Sequence, residues 1–261
     1  MDRLPQELIV QIFSLLPLSL ALNCKRINSR IAHVLSTRSF AKQLLRNWVH
    51  CRLQTPHAVS RFWLKCPIHY QYAYADLYLA SMQSISWGSF NLTGCIPPAI
   101  GSLARLNILI LRKNDLFGHI PPEIGFLVQL TSLDLSNNNL EGSLPPELGR
   151  LASLVHLNVS TNNLNGPIPS SFANLSSLVE LNLSNNRLSS SIPPAIGSIK
   201  QLKILRLTNN ELSGSLPDEI SNLKQLMILG LAKNQLNKYI PRTVPHGSKL
   251  WNLVRCNITV M

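Results

Sequence analysis

From about residue 82 onward, apolar residues recur along the chain with a fixed period. Six asparagines mark this period, each 24 residues after the one before: Asn114, Asn138, Asn162, Asn186, Asn210 and Asn234. Leucines surround each asparagine in the same way, as Leu133, Leu135 and Leu140 do around Asn138. The L-x-L alternation predicts a short strand whose leucines point inward and whose middle residue points outward. Repetition of the unit predicts that successive strands stack into one parallel sheet over a continuous leucine core.

The other fixed positions of the unit have physical roles in such a stack. A buried asparagine can hydrogen-bond backbone groups that the bend after the strand would leave unpaired. Glycine, as at Gly118, permits a tight turn, and an apolar residue and a proline follow it, as in Ile120-Pro121. Proline holds the preceding residue extended, which predicts a second short strand on the outer face. Ser190 and Lys238 replace this glycine, which predicts looser turns there.

The first eighty residues lack this period and show helical spacing instead. Apolar residues at positions 8, 9, 12, 13, 15 and 16 lie on one helical face. Pro5 suits the first helical position, and Pro17 ends the helix. Two further helices are predicted, over residues 21–34 and from residue 39 to about residue 49. Residues 50–81 are rich in aromatic side chains and lie outside the repeat register, so we expect them to form a linker or an N-terminal cap.

The repeated unit resembles the plant-type leucine-rich repeat. The family pattern L-x-x-L-x-L-x-x-N-x-L-x-G-x-I-P-x-x-[LI]-G runs through residues 130–149. The resemblance covers about residues 82–241, in six units and an earlier degenerate one in which Phe90 replaces the asparagine. It implies an α/β solenoid with a parallel-sheet horseshoe. In residues 242–261, Arg255 and Ile258 stand where leucine and asparagine are expected, which predicts a degenerate last repeat or cap.

Residues 1–49 resemble the F-box, a small all-α module with the signature L-P-x-E-[LI]-[LI]-x-x-I-[LF]-x-x-L-P followed by a Cys-Lys/Arg helix. The matching residues are Leu4, Pro5, Glu7, Leu8, Ile9, Ile12, Phe13, Leu16, Pro17, Cys24, Lys25 and Arg26. The interval from Pro17 to Cys24 is shorter than in the family by roughly one helical turn. The resemblance implies docking onto the Skp-type adaptor of cullin–RING ubiquitin ligases through Leu4, Pro5, Leu8, Ile12 and Leu16. A plain helical cap and a secretion signal are the alternative interpretations.

The distribution of charge bears on whether the chain binds nucleic acid, and the cysteines bear on its cellular location. The net charge of +12 is highest in residues 1–81, with ten Lys and Arg against three Asp and Glu. These cations fit the solvated faces of short helices, so we do not expect nucleic acid as a partner. The apolar run over residues 8–22 is too short to span a membrane. Five cysteines without a C-x-x-C pair indicate reduced thiols and a cytoplasmic or nuclear location.

A secreted or cell-surface location is the alternative. Five N-x-[ST] sequons would be glycan acceptors in a secreted chain, at Asn91, Asn158, Asn174, Asn182 and Asn257. The repeat consensus itself generates such sequons, however, as in Asn158-Val159-Ser160. The sequons therefore favour secretion only slightly.

Motifs of known enzyme chemistry are absent from the sequence. It contains no H-E-x-x-H, G-x-S-x-G, G-x-G-x-x-G or P-loop pattern. The seven histidines are scattered, and the cysteines lack the spacing of zinc ligands. We therefore expect no catalytic residue, no metal site and no cofactor.

The outward strand positions define the predicted binding face. Isoleucines at positions 108, 110, 204 and 228 would stand on this face beside arginines, an arrangement typical of interface anchors. Strand propensity alone is the competing explanation. We expect a protein or an extended peptide, with an acidic group near Arg206, to bind across the concave face. The predicted contact residues are Ile108, Ile110, Arg112, Asp134, His156, Asn158, Glu180, Asn182, Ile204, Arg206 and Ile228.

Together these features predict a protein–protein interaction module without enzymatic activity. The leading interpretation is the substrate-recognition subunit of an SCF-type cullin–RING ubiquitin ligase, in which the F-box binds the adaptor and the concave face binds the target. The alternative is a secreted or cell-surface binding protein that resembles plant receptor-like or polygalacturonase-inhibiting proteins and has no role in ubiquitin transfer.

Overall fold

The computed structural model describes residues 33, 37–52, 63–64, 67–237 and 239–259. The chain divides into two compact units, residues 1–81 and residues 82–261. The five residues predicted to contact the adaptor lie outside the described part. Among the residues that are described, no helix has the length and apolar character needed to cross a membrane.

Two helices organise the described part of the first unit. Helix α1 (Arg38–Arg52) packs against helix α2 (Ile68–Tyr74), which continues into a π-helical turn (Ala75–Leu79). Helix α1 confirms the third helix predicted from the sequence. The described residues of the aromatic segment 50–81 are therefore largely helical. The side chains buried in this unit include Phe40, Leu44, Leu45, Trp63, Tyr70, Tyr74 and Leu79.

A cluster of three charges links α1 to the π-helical turn. Arg38 Nε donates a hydrogen bond to Asp76 Oδ2 at 3.0 Å, and Lys42 Nζ lies 2.8 Å from the same oxygen. Partial burial raises the pKa of the Asp76 carboxyl, but the hydrogen bonds and charges of Lys42 and Arg38 outweigh it and leave the pKa below the ordinary 3.8. A carboxyl whose pKa is lowered by folding stabilises the folded state above its unfolded pKa. That stabilisation is lost as the pH falls through the folded pKa.

Replacing Asp76 with Asn is therefore expected to destabilise the first unit at neutral pH and to have little effect well below pH 3.8. Hydrogen-exchange protection factors of the α1 amides measure the change at each pH. Asp115→Asn is the control, because Asp115 is an exposed carboxylate in the second unit. A loss of protection in the Asp76 variant that persists in acid would contradict this account of the cluster.

In the second unit, each coil contributes one strand to a seven-stranded parallel sheet. Leu157 of one strand pairs with Leu133 of the preceding strand and Leu181 of the following strand, so the register advances by whole repeats. The central residue of each strand is buried and its neighbours face outward, which confirms the predicted alternation. In spatial order the strands are β1 (Ser84–Ser86), β3 (Ile108–Ile110), β5 (Ser132–Asp134), β7 (His156–Asn158), β9 (Glu180–Asn182), β11 (Ile204–Arg206) and β13 (Ile228–Gly230).

Each coil then forms a second short strand, as predicted. In the first five coils these strands form one parallel sheet, and those of the last two coils pair in another. The break between these two sheets comes after Ser190, whose backbone is left-handed (φ 69°) where five other coils have glycine. The strands are β2 (Thr93–Gly94), β4 (Asp115–Gly118), β6 (Asn139–Ser143), β8 (Asn163–Gly166), β10 (Arg187–Leu188), β12 (Ser213–Gly214) and β14 (Gln235–Leu236).

The repeated prolines begin a short 3-10 segment rather than extending the second strand. Pro145 is extended (ψ 130°), and Pro146 occupies the first helical turn, where a missing N–H costs nothing. The segments lie side by side along the stack. They are Pro98–Ser102, Pro122–Phe126, Pro146–Arg150, Ser170–Asn174, Pro194–Ser198 and Asp218–Asn222.

The repeated asparagines join neighbouring coils. Asn162 Nδ2 donates to the carbonyl oxygen of Val159 in its own coil and to that of Leu135 in the preceding coil, both at 3.1 Å. Its Oδ1 accepts from the Leu140 N–H at 3.0 Å. Asn114 Oδ1 likewise accepts from the Phe90 N–H, so the first coil is held although it lacks an asparagine of its own.

After the last coil the chain forms helix α3 (Lys249–Thr259) instead of a further repeat. Ser248 Oγ accepts a hydrogen bond from the Trp251 N–H at 3.0 Å at the start of this helix, and the helix contacts β13. Leu250 and Val254 are one helical turn apart, and Val254 is fully buried. Of the two alternatives predicted for residues 242–261, a degenerate repeat or a cap, the helix does not have the form of a repeat, and a capping role stays a prediction.

Candidate binding face

The outward residues of the seven strands form one surface, which we call the seven-stranded face. Of the four isoleucines predicted to be exposed there, Ile228 is 42 % exposed, whereas Ile108, Ile110 and Ile204 are half-buried. These three lie on strands with a neighbouring strand on each side, whereas Ile228 lies on the last strand of the sheet. The outward residues are Ser84, Ser86, Ile108, Ile110, Ser132, Asp134, His156, Asn158, Glu180, Asn182, Ile204, Arg206, Ile228 and Gly230.

An apolar patch lies at the β11–β13 end of this face. We use this name for Ile204, Met227 and Ile228, because Ile204 pairs directly with Ile228 in the sheet and Met227 immediately precedes Ile228 in the chain. Met227 is 54 % exposed and precedes β13, and its N–H donates to the carbonyl oxygen of Lys203 at 2.8 Å. Sequence reasoning missed Met227 because only the two positions around the central leucine were considered. The repeat could have identified it, because the position immediately before each strand recurs every 24 residues, and Met227 occupies that position before β13.

Glu180 joins three neighbouring strands through its carboxylate. Its Oε1 accepts a hydrogen bond from the Arg206 guanidinium at 2.6 Å, and its Oε2 lies 3.5 Å from His156 Nδ1. Three of the predicted contact residues are thus brought together. Arg206 already has a carboxylate partner. An acidic group of a ligand would therefore bind Arg206 together with Glu180 or displace Glu180 from it.

Polar side chains in the middle of the face are held in fixed orientations. Asp134 Oδ1 accepts from the hydroxyl of Ser136 at 2.6 Å, and Asn158 Oδ1 accepts from that of Ser160 at 2.7 Å. Asn182 Oδ1 accepts from the backbone N–H two residues later. Among the described residues, no protein acceptor is hydrogen-bonded to the Nδ2 groups of Asn158 and Asn182. These amides are positioned to donate to a ligand.

The charges on and beside the face are predominantly positive. Arg112 lies 3.9 Å from Asp134, and Arg206 is paired with Glu180. The exposed lysines have no ion-pair partner within the part of the chain that the structure describes. They are Lys203, which precedes β11, and Lys113 and Lys233, which lie at the bends after β3 and β13. These five cations outnumber the two carboxylates Asp134 and Glu180. The excess of positive charge favours a ligand with acidic groups.

Away from the seven-stranded face, the described surface offers fewer features of a binding site. In the described ranges, no group of three His, Cys, Asp or Glu side chains is arranged to hold a metal ion. A cavity of about 490 Å³ lies beside the 3-10 segments, and its lining includes Leu144, Pro146 and Pro169. Large apolar side chains are also exposed away from the face, at Phe117, Phe126 and Val128.

Comparison with known proteins gives one matching family model and a group of similar solved structures. Residues 90–212 match the model described as a leucine-rich repeat region. The ectodomain of the Arabidopsis thaliana membrane receptor kinase GASSHO1/SCHENGEN3, in complex with CASPARIAN STRIP INTEGRITY FACTOR 2, is 36 % identical with a TM-score of 0.65. That match covers 72 % of this chain and 21 % of the receptor chain.

Two further structures extend the comparison. The Arabidopsis receptor kinase HAESA, in complex with the peptide hormone IDA and the co-receptor SERK1, is 33 % identical over 71 % of this chain and 30 % of its own, with a TM-score of 0.63. Pollen Receptor Kinase 3 is 32 % identical over 59 % of this chain and 72 % of its own, with a TM-score of 0.51. This chain spans about a fifth to a third of the first receptor chains that it matches. No curated protein matches the sequence.

Proposed function

This chain belongs to the leucine-rich-repeat proteins, and from that premise we propose that its seven-stranded face binds an extended peptide with acidic groups. The observation that carries the proposal is the apolar patch of Ile204, Met227 and Ile228, in which Met227 and Ile228 are exposed and Ile204 is half-buried. The exposed cation Lys203 is next to it, since its carbonyl oxygen accepts from the Met227 N–H. Exposed apolar side chains next to a cation are a common composition of interface anchors. The fold supplies the rigid scaffold, and no enzymatic role is proposed for it.

The dimensions of the face suit an extended chain that crosses the strands. Neighbouring strands are about 4.8 Å apart, so the five strands from β5 to β13 span about 19 Å. An extended peptide rises about 3.3 Å per residue and covers that distance with about six residues. Such a peptide would meet the polar side chains of Asp134 and Asn158 first. The apolar patch would hold its other end.

Similar structures support a peptide as the ligand. The structure of HAESA contains the peptide hormone IDA, and HAESA is among the plant receptor kinases to which this chain is similar. The similarity favours a secreted or cell-surface binding protein over a cytoplasmic or nuclear ligase subunit. We therefore place the proposed function outside the cytoplasm, as in the alternative interpretation of the sequence.

The F-box interpretation rests on the sequence resemblance of residues 1–49. The matched family model covers residues 90–212 and does not reach this segment. The contact residues Leu4, Pro5, Leu8, Ile12 and Leu16 lie outside the described part of the chain. Docking to a Skp-type adaptor stays a prediction of this segment, separate from the proposed peptide binding.

Met227→Asp is expected to weaken peptide binding at least about tenfold, which corresponds to about 1.4 kcal/mol. The reason is that the carboxylate would replace an apolar contact and repel acidic groups of the ligand. The probes are peptides selected on the wild-type chain from a random-peptide display library, and calorimetry measures their affinity. Met227 is preferred to Arg206 because a change at Arg206 would also remove the hydrogen bond to Glu180 Oε1.

Val128→Asp is the matched control. Val128 is 55 % exposed and Met227 is 54 % exposed, but Val128 lies near the 3-10 segments and away from the face. Its variant should keep the wild-type affinity. Equal losses in the two variants, or a loss at Val128 alone, would place the ligand elsewhere. Failure to select any peptide would contradict the proposal that the ligand is one.

A further inference from the structure

Four of the five sequons have described side chains, and their surroundings divide them into two pairs. Asn158 and Asn182 are outward residues of β7 and β9 on the seven-stranded face, where both are half-buried. The serines that complete these sequons, Ser160 and Ser184, are each only 8 % exposed. The Ser160 hydroxyl is also committed to a hydrogen bond with Asn158 Oδ1 at 2.7 Å.

The other pair of sequons is open to solvent. Asn91 is exposed at a bend before β2, and Thr93, which completes its sequon, is exposed as well. Asn174 ends the 3-10 segment Ser170–Asn174, and both it and Ser176 are exposed. Within the described part of the chain, neither asparagine side chain makes a hydrogen bond. Both positions lie away from the outward residues of the seven strands.

We infer that Asn91 and Asn174 are acceptors of N-linked glycans and that Asn158 and Asn182 are not. The inference rests on the proposed secreted or cell-surface location. In the transfer, the asparagine Nδ2 forms a bond to the anomeric carbon of a lipid-pyrophosphate-linked oligosaccharide. The lipid pyrophosphate leaves with the electron pair of the broken bond, and the amide nitrogen loses one proton.

Steric and folding arguments exclude transfer to the strand asparagines. Strands β5 and β9 lie about 4.8 Å on either side of β7, so a sugar on Asn158 would have to cover side chains of both. N-linked glycans are bulky groups suited to open surface. Coils of a solenoid contact only their neighbours, so Ser160 is buried as soon as the adjacent coils form. The two accepted glycans leave the proposed peptide-binding face uncovered.

The experiment uses the full chain directed through the secretory pathway of a plant or insect cell by a secretion leader. A peptide N-glycanase converts each glycosylated asparagine to aspartate, and peptide mass spectrometry then locates the converted sites. Conversion is expected at Asn91 and Asn174 and absent at Asn158 and Asn182. Asn91→Gln and Asn174→Gln should each remove one glycan from the intact mass, whereas Asn158→Gln and Asn182→Gln should remove none. Asn257, in α3, is mapped separately and does not enter the inference.

A glycan at Asn158 or Asn182 would overturn the inference, and so would unmodified asparagine at Asn91 or Asn174. Peptide affinity is measured on the same preparation with the wild-type chain and Met227→Asp. If the chain lacks the expected glycans but binds peptide in a way that depends on Met227, the glycan sites are refuted and the proposed function is supported. If the expected glycans are present but no peptide binds, the proposed function is refuted and the glycan sites are confirmed.

Discussion

Replacing Asn162 with alanine is expected to lower the free energy of unfolding by about 3 kcal/mol. The side chain donates to the carbonyl oxygens of Leu135 and Val159 and accepts from the N–H of Leu140. Each carbonyl oxygen keeps a second donor, Asn138 Nδ2 or Asn186 Nδ2, so alanine would leave the Leu140 N–H unpaired and remove one of two hydrogen bonds at each carbonyl. An unpaired buried N–H costs about 1–3 kcal/mol, and the two hydrogen bonds lost at the carbonyl oxygens add to that cost. Because the bonds reach into the preceding coil, the change weakens the stacking of coils as well as one bend.

Asn163→Ala is the control for this change, since Asn163 is only half-buried in β8 and its side chain makes none of these bonds. Its effect should stay within about 0.5 kcal/mol. Urea unfolding of the two variants and the wild type, compared at equal m-values, measures both effects. Similar losses in the two variants would show that the asparagine contacts do not hold the coils together.

Gly149→Ala is expected to destabilise the second unit by about 3 kcal/mol, at the upper end of typical overpacking costs. A Cβ atom at this position would lie 2.4 Å from the carbonyl oxygen of Ser171 in the next coil and 2.7 Å from its Cβ. Neither atom belongs to a flexible side-chain end, so the coils themselves would have to separate. The same close approach recurs at Gly125 and Gly197.

The next coil provides a natural control for the Gly149 prediction. Ala173 occupies the equivalent position there and is accommodated in a half-buried site. Ala173→Gly should therefore cost no more than about 1 kcal/mol, the usual penalty for added backbone freedom. Thermal unfolding followed by circular dichroism compares the two variants. If Gly149→Ala were as mild as Ala173→Gly, coil spacing would not depend on the missing Cβ at residue 149.

The period of the sequence determined most of the fold of the second unit. Asn138 and the leucines around it are enough to place a strand, its buried residues and its parallel neighbours, because each position repeats in every coil. The second strands were predicted by the same reasoning. The 3-10 segments were not, because the rule that proline extends the preceding residue says nothing about the residues that follow.

The side-chain pairing and exposure at the candidate site could not be predicted, because they depend on contacts between neighbouring repeats. The pairing of Arg206 with Glu180 joins adjacent coils, and it became evident only when the side chains of both were placed. The exposure of Ile108, Ile110 and Ile204 was overestimated because packing by neighbouring strands was not considered. Helix α3 was not predicted, because residues 242–261 were compared only with the repeat pattern, in which Arg255 and Ile258 replace the expected leucine and asparagine.

A crystal structure of the full chain with a peptide selected on it tests the central claim most directly. The account predicts an extended peptide across the outward residues of β5 to β13, with an apolar side chain against Met227 and Ile228 and an acidic group near Lys203. A peptide bound beside the 3-10 segments, in the cavity lined by Pro146 and Pro169, would contradict it.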